Sequence, residues 1–285
     1  MEEKIVFERF LYGDDKEISI NDVEFLVDRI VLLPKIRPHK LDKAVGLSAH
    51  YCQNADFRLR MIEKSKECPV LVYQLYKKGV FIFEDIKPHL KGIDSFLLYF
   101  YFRDEIDDFK SLIQKIGVPY DFDKSFIENE KDIDLLIEYG FVPYSIEYCL
   151  KYDDIEKFEN IEVFNKEPKW SPFEWSIEPD FLDFLSFSGF FGSLKCFRYL
   201  LMKGFEINDN VTNMVICSGC LDLFHLCQAN RLIPNDSIFH SIKYCHLSLL
   251  AFFIENGVDI NAKNDYIVIL CFIFLLFILL LNLVI

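Results

Sequence analysis

The sequence predicts an all-α fold in which short helix pairs stack into a solenoid, followed by an apolar C-terminal tail. Three observations support this prediction. Apolar residues recur at spacings of three and four, which is the period of one helix face. A pattern of 17 residues occurs three times between residues 192 and 261. No stretch alternates apolar and polar residues convincingly over the length of a strand.

The three copies of the repeat align without a gap. They begin at Gly192, Gly219 and Cys245, which lie 27 and 26 residues apart, and each copy ends in asparagine. Leucine stands at the third position of each copy, and large apolar residues stand at the sixth and eighth. In two copies a glycine, Gly204 or Gly257, follows the last apolar pair, where a helix commonly ends in the left-handed conformation.

A single copy cannot bury its apolar face alone, so each is predicted to pair with a preceding helix and to stack on its neighbours. Residues 181–191 supply that preceding helix for the first copy. Weaker forms of the helix ending occur at 75–79, 113–117 and 136–140. The tripeptide Val-Pro-Tyr follows the last two of these, at 118–120 and 142–144.

These patterns divide the chain into five segments. The segments are a divergent helical region (1–93), degenerate repeats (94–167), a junction rich in Pro and Trp (168–180), the clear repeats (181–265) and the apolar tail (266–285). In the first segment, Pro34 and Pro38 are expected to end a helix that begins near Val23. Further helices are predicted over 59–62 and 70–76. The junction is no flexible linker, because its large aromatic residues, Trp170, Phe173 and Trp175, favour burial.

The charge balance disfavours nucleic acid as a partner. Lys and Arg number 31 against 45 Asp and Glu, which gives a formal net charge of −14. The basic stretches, such as residues 35–40, are too short to form the stripe that neutralises phosphates. The acidic balance favours solubility and, weakly, basic partners.

The nine cysteines predict a reduced, cytoplasmic setting. The first ten residues lack the apolar core of a signal peptide, and an odd number of irregularly spaced cysteines is unlike a secreted disulfide framework. One group nevertheless raises the hypothesis of a zinc site. Its members are Cys217, Cys220, His225, Cys227, His240, Cys245 and His246. The repeat alignment favours packing roles for them, and no metal site is predicted.

Signatures of catalysis are weak throughout the sequence. A Cys–His nucleophilic pair is compatible with the counts, but no local motif resembles a protease or transferase. The acidic run at 104–108 lacks the spacing of a calcium loop, and the 11 glycines form no phosphate-binding loop. An enzyme hidden in the first 90 residues remains an alternative, for which a pocket lined by His50, Cys52 and Asp56 would be the sign. We therefore predict no catalytic residue, cofactor or small-molecule substrate.

The tail has two interpretations. Residues 266–285 carry no charge, and Asn282 alone falls outside the hydrophobic set. As a helix they would extend about 30 Å, the thickness of the hydrocarbon core of a bilayer. The tail is therefore either a membrane anchor that leaves the body in the cytosol, or the product of a shifted reading frame in an AT-rich gene. A core helix is disfavoured, because the segment is apolar all round.

The repeats resemble those of ankyrin-repeat proteins. Residues 192–201 look like the helices of ankyrin repeats found in large protist families, as do residues 254–265. Residues 153–158 and 181–201 are similar to the uncharacterised ankyrin-like domain that precedes the regular repeats in those proteins. The resemblance implies a stack of helix pairs that binds other proteins on its concave face, with no known catalytic activity.

This chain departs from the ankyrin pattern in two ways. The Thr-Pro-Leu-His start is absent, and the repeat is shorter than the usual length of about 33 residues. The finger loops are therefore expected to be short or missing, and no binding positions can be transferred from the family. The sequence thus predicts a non-enzymatic protein-interaction module of unknown partner. The alternative is a tail-anchored membrane adaptor that uses the same repeats.

Overall fold

All regular secondary structure in the described part of the chain is helical. A computed structural model of the chain describes residues 23–36, 38–120, 122, 124–128, 130–161, 167–176, 183–229, 233–234, 236–244 and 246–258. No strand occurs within these ranges, and the predicted all-α class is confirmed. None of the helices in these ranges has both the length and the apolar character to cross a bilayer. The predicted tail, residues 266–285, lies outside them.

The described chain divides into two units. Within the described ranges, unit 1 comprises the residues between 23 and 141 together with 171–176, and unit 2 comprises those between 142 and 170 together with those between 183 and 258. The helices of unit 1 are α1 (Val23–Ile36), α2 (Leu41–Tyr51), α3 (Ala55–Glu63), α4 (Pro69–Lys77), α5 (Phe83–Ile86), α6 (Phe96–Tyr101), α7 (Phe109–Ile116), α8 (Ser125–Glu128) and α9 (Glu130–Tyr139). Those of unit 2 are α10 (Ile146–Tyr152), α11 (Ile155–Phe158), α12 (Phe184–Phe191), α13 (Leu194–Met202), α14 (Asp209–Ser218), α15 (Leu221–Ala229), α16 (Ser237–Lys243) and α17 (Leu247–Glu255).

The helices predicted in the N-terminal region are present, with one correction. Helices α3 and α4 cover the predicted stretches 59–62 and 70–76. The prediction that Pro34 ends the first helix is wrong, because α1 continues to Ile36 with Pro34 inside it. A proline removes one backbone donor and crowds the preceding turn. Here it falls only two residues before the end of the helix.

Junction residues 171–176 contribute to unit 1. Phe173 is 1% exposed, and its ring centroid lies 6.0 Å from that of Phe100. The indole Nε1 of Trp175 donates a hydrogen bond to the carbonyl oxygen of Pro38 at 3.2 Å. In unit 2, Trp170 stacks on Phe191 with centroids 5.9 Å apart. Phe173 is thus buried as expected, whereas the two tryptophans are half-buried against neighbouring groups.

Unit 2 is built from consecutive helix pairs. The first helices, α10, α12, α14 and α16, contact one another in chain order, and each also packs against the second helix of its own pair. Helix α12 is the most enclosed, since all eight of its residues are buried. The second helices α13 and α17 are followed by Gly204 and Gly257, with φ angles of 93° and 71°. The left-handed glycines predicted from the repeat are therefore confirmed.

Candidate functional site

Two members of the Cys and His group considered as a zinc site, Cys220 and His246, occupy equivalent positions in successive helix pairs. Each directly precedes the second helix of its pair, as Ser193 does in the pair before. The Ser193 hydroxyl donates to the carbonyl oxygen of Leu150, and His246 Nε2 donates to that of Cys217 at 2.7 Å. Both bonds connect the start of a second helix to the first helix of the preceding pair. The equivalent bonds indicate a structural role for the side chains of Ser193 and His246.

The remaining described members of the group lie in different surroundings. The Sγ atom of buried Cys217 lies 3.3 Å from Nδ1 of half-buried His240. His225 is exposed on α15, with its Nδ1 3.0 Å from the side-chain oxygen of Gln228. Cys227 is buried on the same helix, and Cys245 lies outside the described residues. Across the ranges that the structure describes, no three His, Cys, Asp or Glu side chains converge on one point.

Burial makes several thiols poor nucleophiles. Loss of solvation raises the pKa of Cys52, Cys68, Cys149 and Cys227 to about 11, from an ordinary value of 9.0. Burial also raises the pKa of Cys196, which lies close to the carboxylate of Asp153. The thiolate is the reactive form, so these side chains stay protonated and unreactive near neutral pH.

The residues proposed as the sign of a hidden enzyme differ in their exposure to solvent. His50 is exposed at the end of α2, and its ring makes an edge contact with Tyr51. Cys52 is buried, and Asp56 is exposed in the first turn of α3. A buried, protonated thiol between two exposed side chains does not form an activated nucleophile and base.

A row of three tyrosines at the start of unit 2 is the strongest candidate for a binding surface. We call Tyr144, Tyr148 and Tyr152 the tyrosine face. Their ring centroids lie 6.2 Å apart for the first two and 4.6 Å apart for the last two. Tyr148 and Tyr152 are four residues apart on one side of α10, and Tyr144 lies in the turn that precedes the helix. Tyr144 is 66% exposed and Tyr152 is 44% exposed.

Two lysines extend the tyrosine face. The Nζ atom of Lys157 lies 5.7 Å from the ring centroid of Tyr144, and that of Lys151 lies 5.2 Å from the ring of Tyr152. Cations at such distances are attracted to the ring faces. The face therefore combines flat apolar rings, phenolic hydroxyls and positive charge.

The backbone at Tyr144 is strained. Its φ of 67° lies in the left-handed region, which costs a residue with a side chain about 1–2 kcal/mol. Ser145 follows as the N-cap of α10, its hydroxyl accepting a hydrogen bond from the Tyr148 amide at 3.1 Å. The sharp turn holds an exposed aromatic ring in place, and strain of this kind often accompanies functional positions.

The tyrosine face was not predicted from the sequence. Two signals were available, namely the Val-Pro-Tyr tripeptide at 142–144 and the spacing of the three tyrosines. Comparison of the chain with models of protein families, with curated proteins and with solved structures gives no match in any of the three.

Proposed function

We propose that this chain is a non-enzymatic protein-interaction module, in which an ankyrin-like helical solenoid in unit 2 binds a protein partner through the tyrosine face. The observation that carries the proposal is the exposure of Tyr144 and Tyr152 on either side of half-buried Tyr148, with Tyr144 in a strained turn just before α10. Tyrosine is enriched at protein interfaces, because it contributes a large contact area and a hydrogen bond at low entropic cost.

The packing of unit 2 supports the solenoid part of the proposal. Its first helices contact one another in chain order, as expected when each repeat touches only its neighbours. The side chains of Ser193 and His246 each bond a backbone carbonyl of the preceding helix pair, so the same kind of contact occurs at two places in the stack. A rigid stack of this kind suits recognition, because its side chains need little ordering when a partner binds.

Affinity capture tests the proposal. The full chain, Tyr144→Ser/Tyr152→Ser and the control Tyr120→Ser are immobilised and exposed to lysate of the source cells, and captured proteins are quantified by mass spectrometry. Tyr120 is fully exposed and also follows Val-Pro, so it matches Tyr144 in sequence context. We expect a partner that the wild-type chain and the control both retain, and that the double variant loses about tenfold or more, since interface tyrosines are frequent hot spots.

Two results would overturn the proposal. One is the absence of any protein whose capture depends on Tyr144 and Tyr152. The other is an equal loss of capture with the Tyr120 control, which would indicate that exposed aromatic rings bind proteins without specificity.

A further inference from the structure

Unit 1 contains a cleft that is separate from the tyrosine face. Its volume is about 770 Å³, within the range of about 300–1,000 Å³ that is typical of ligand sites. The apolar part of the wall comprises Phe100, Phe109, Ile113, Ile127 and Ile133. These residues come from α6, α7, α8 and α9. The cleft therefore offers an apolar surface large enough for more than one bulky side chain.

Helix α7 lies along the cleft with its apolar side only partly covered. None of its residues is buried, and Phe109, Leu112, Ile113 and Ile116 are all half-buried. An amphipathic helix normally places its apolar side against a core. Phe109 makes an edge contact with Phe100, with ring centroids 5.1 Å apart. The side of α7 that lines the cleft can therefore lose further solvent-exposed area when a ligand binds.

The polar part of the wall carries an excess of negative charge. Its charged members are Arg103, Asp104, Asp108, Lys110 and Asp134. Arg103 is engaged by Asp134, whose Oδ1 lies 2.5 Å from Nη2, and by Asp104, whose Oδ1 lies 3.8 Å from Nε. The Asp104 side chain is 89% exposed.

Unlike Asp104 and Asp134, Asp108 has no ion pair within the described ranges. It precedes α7 with φ and ψ of 50°, so its side chain makes no capping hydrogen bond to that helix. It is exposed, and no hydrogen bond or ion pair of its carboxylate occurs within the described ranges. Asp104 and Asp108 thus present negative charge beside an apolar wall.

We propose that this cleft binds a peptide segment of a partner protein in which a large apolar side chain stands beside Lys or Arg. The apolar side chain packs on Phe109 and Ile113, and the cation pairs with Asp104 and Asp108. Charge complementarity selects this occupant, because an acidic segment would meet the exposed carboxylates of Asp104 and Asp108, and a neutral one would leave Asp108 without an ion pair. The proposal does not rest on the tyrosine face, which belongs to the other unit.

Selection from a library of random peptides displayed on phage, with the immobilised full chain as target, tests this proposal. The most enriched peptide is then labelled, and its affinity is measured by fluorescence anisotropy. The test variant is Asp104→Asn/Asp108→Asn, in which asparagine keeps the tolerance for the left-handed backbone. The control is Asp94→Asn/Asp107→Asn, which removes the same charge from exposed positions that do not line the cleft.

We expect the enriched peptides to carry Lys or Arg next to an aromatic or large aliphatic residue. Their affinity falls about tenfold in the test variant and changes less than about twofold in the control. Ile113→Ser, on the apolar wall, weakens binding as well. The proposal is overturned if no peptide is enriched, if the enriched peptides lack a basic residue, or if the control weakens binding as much as the test variant. The last result would indicate only general attraction to an acidic protein.

Discussion

The imidazole of His246 lies directly against Gly219, so that a Cβ atom at position 219 would be 1.9 Å from His246 Cε1. Gly219 ends α14 with a φ of 70°. The glycine therefore meets two demands, a left-handed backbone and room for the histidine that bonds the carbonyl oxygen of Cys217.

Gly219→Ala is expected to destabilise the protein by about 2–5 kcal/mol, the sum of a left-handed alanine and an overpacked contact. Gly204→Ala is the matched control. The φ of Gly204 is 93°, but no atom lies within 4 Å of a Cβ placed there. The Gly204→Ala substitution therefore carries only the backbone cost of about 1–2 kcal/mol. Urea unfolding measures both. In the double variant Gly219→Ala/His246→Ala the imidazole is gone, so the part of the destabilisation that comes from the overpacked contact disappears. Equal destabilisation by Gly219→Ala and Gly204→Ala would contradict the close packing of His246 on Gly219.

Asp153→Ala is expected to lower stability by about 1–2 kcal/mol or more, because this residue caps a helix of the next pair. Its two carboxylate oxygens accept hydrogen bonds from the amides of Lys195 and Cys196 at 3.2 and 2.9 Å. Asp153 also has a φ of 55°, which asparagine tolerates better than alanine. Asp153→Asn therefore loses less stability than Asp153→Ala in thermal unfolding. The reverse order would contradict the capping role.

Tyr144→Gly is expected to raise the free energy of unfolding by about 0.5–1 kcal/mol. Glycine relieves the left-handed strain, which stabilises the fold by about 1–2 kcal/mol. It also raises the entropy of the unfolded chain, which opposes this gain by about 0.5–1 kcal/mol. Tyr144→Ala removes the same ring but keeps a Cβ atom, so it brings no such gain. Denaturant titration of both variants separates relief of strain from loss of the ring. A gain shared by both would mean that the ring, and not the backbone, is costly.

The buried thiols predict a loss of stability at alkaline pH. In the unfolded chain a cysteine ionises near its ordinary pKa of 9.0, whereas burial raises the pKa of Cys68 to about 11 in the fold. The unfolded state therefore loses its proton first, and the stability present below pH 9 falls as the pH rises towards 11. Urea unfolding at pH 8, 9, 10 and 11 measures this slope. Cys68→Ala should show a shallower slope; an unchanged slope would exclude Cys68 as a contributor.

The helices of unit 2 were predictable because their signals are local. The apolar spacing from Leu194 to Leu201 and the glycine at 204 describe a helix and its end without reference to the rest of the chain. The extension of α1 beyond Pro34 was missed, because the cost of a proline depends on how close the helix end lies.

The candidate sites were less predictable because they depend on tertiary neighbours. The spacing of Tyr144, Tyr148 and Tyr152 describes one side of a helix equally well whether it faces a core or solvent. The cleft of unit 1 brings Phe100 and Ile133 together across more than 30 residues of chain. By contrast, the repeat alignment predicted packing roles for Cys220 and His246, because both occupy the same repeat position as Ser193.

The complete burial of α12 has a consequence for how unit 2 opens. Each first helix packs mainly on its neighbours in the row and on its own partner helix, so among the described helices local opening is expected to start at α16 and α17 with the least disturbance of the other pairs. Amide hydrogen exchange is therefore expected to be fastest in α17 and slowest in α12, where Phe187 and Ser188 are fully enclosed. Exchange in α12 would then report on global unfolding of the unit, and its protection would give the stability of the whole stack from a single helix.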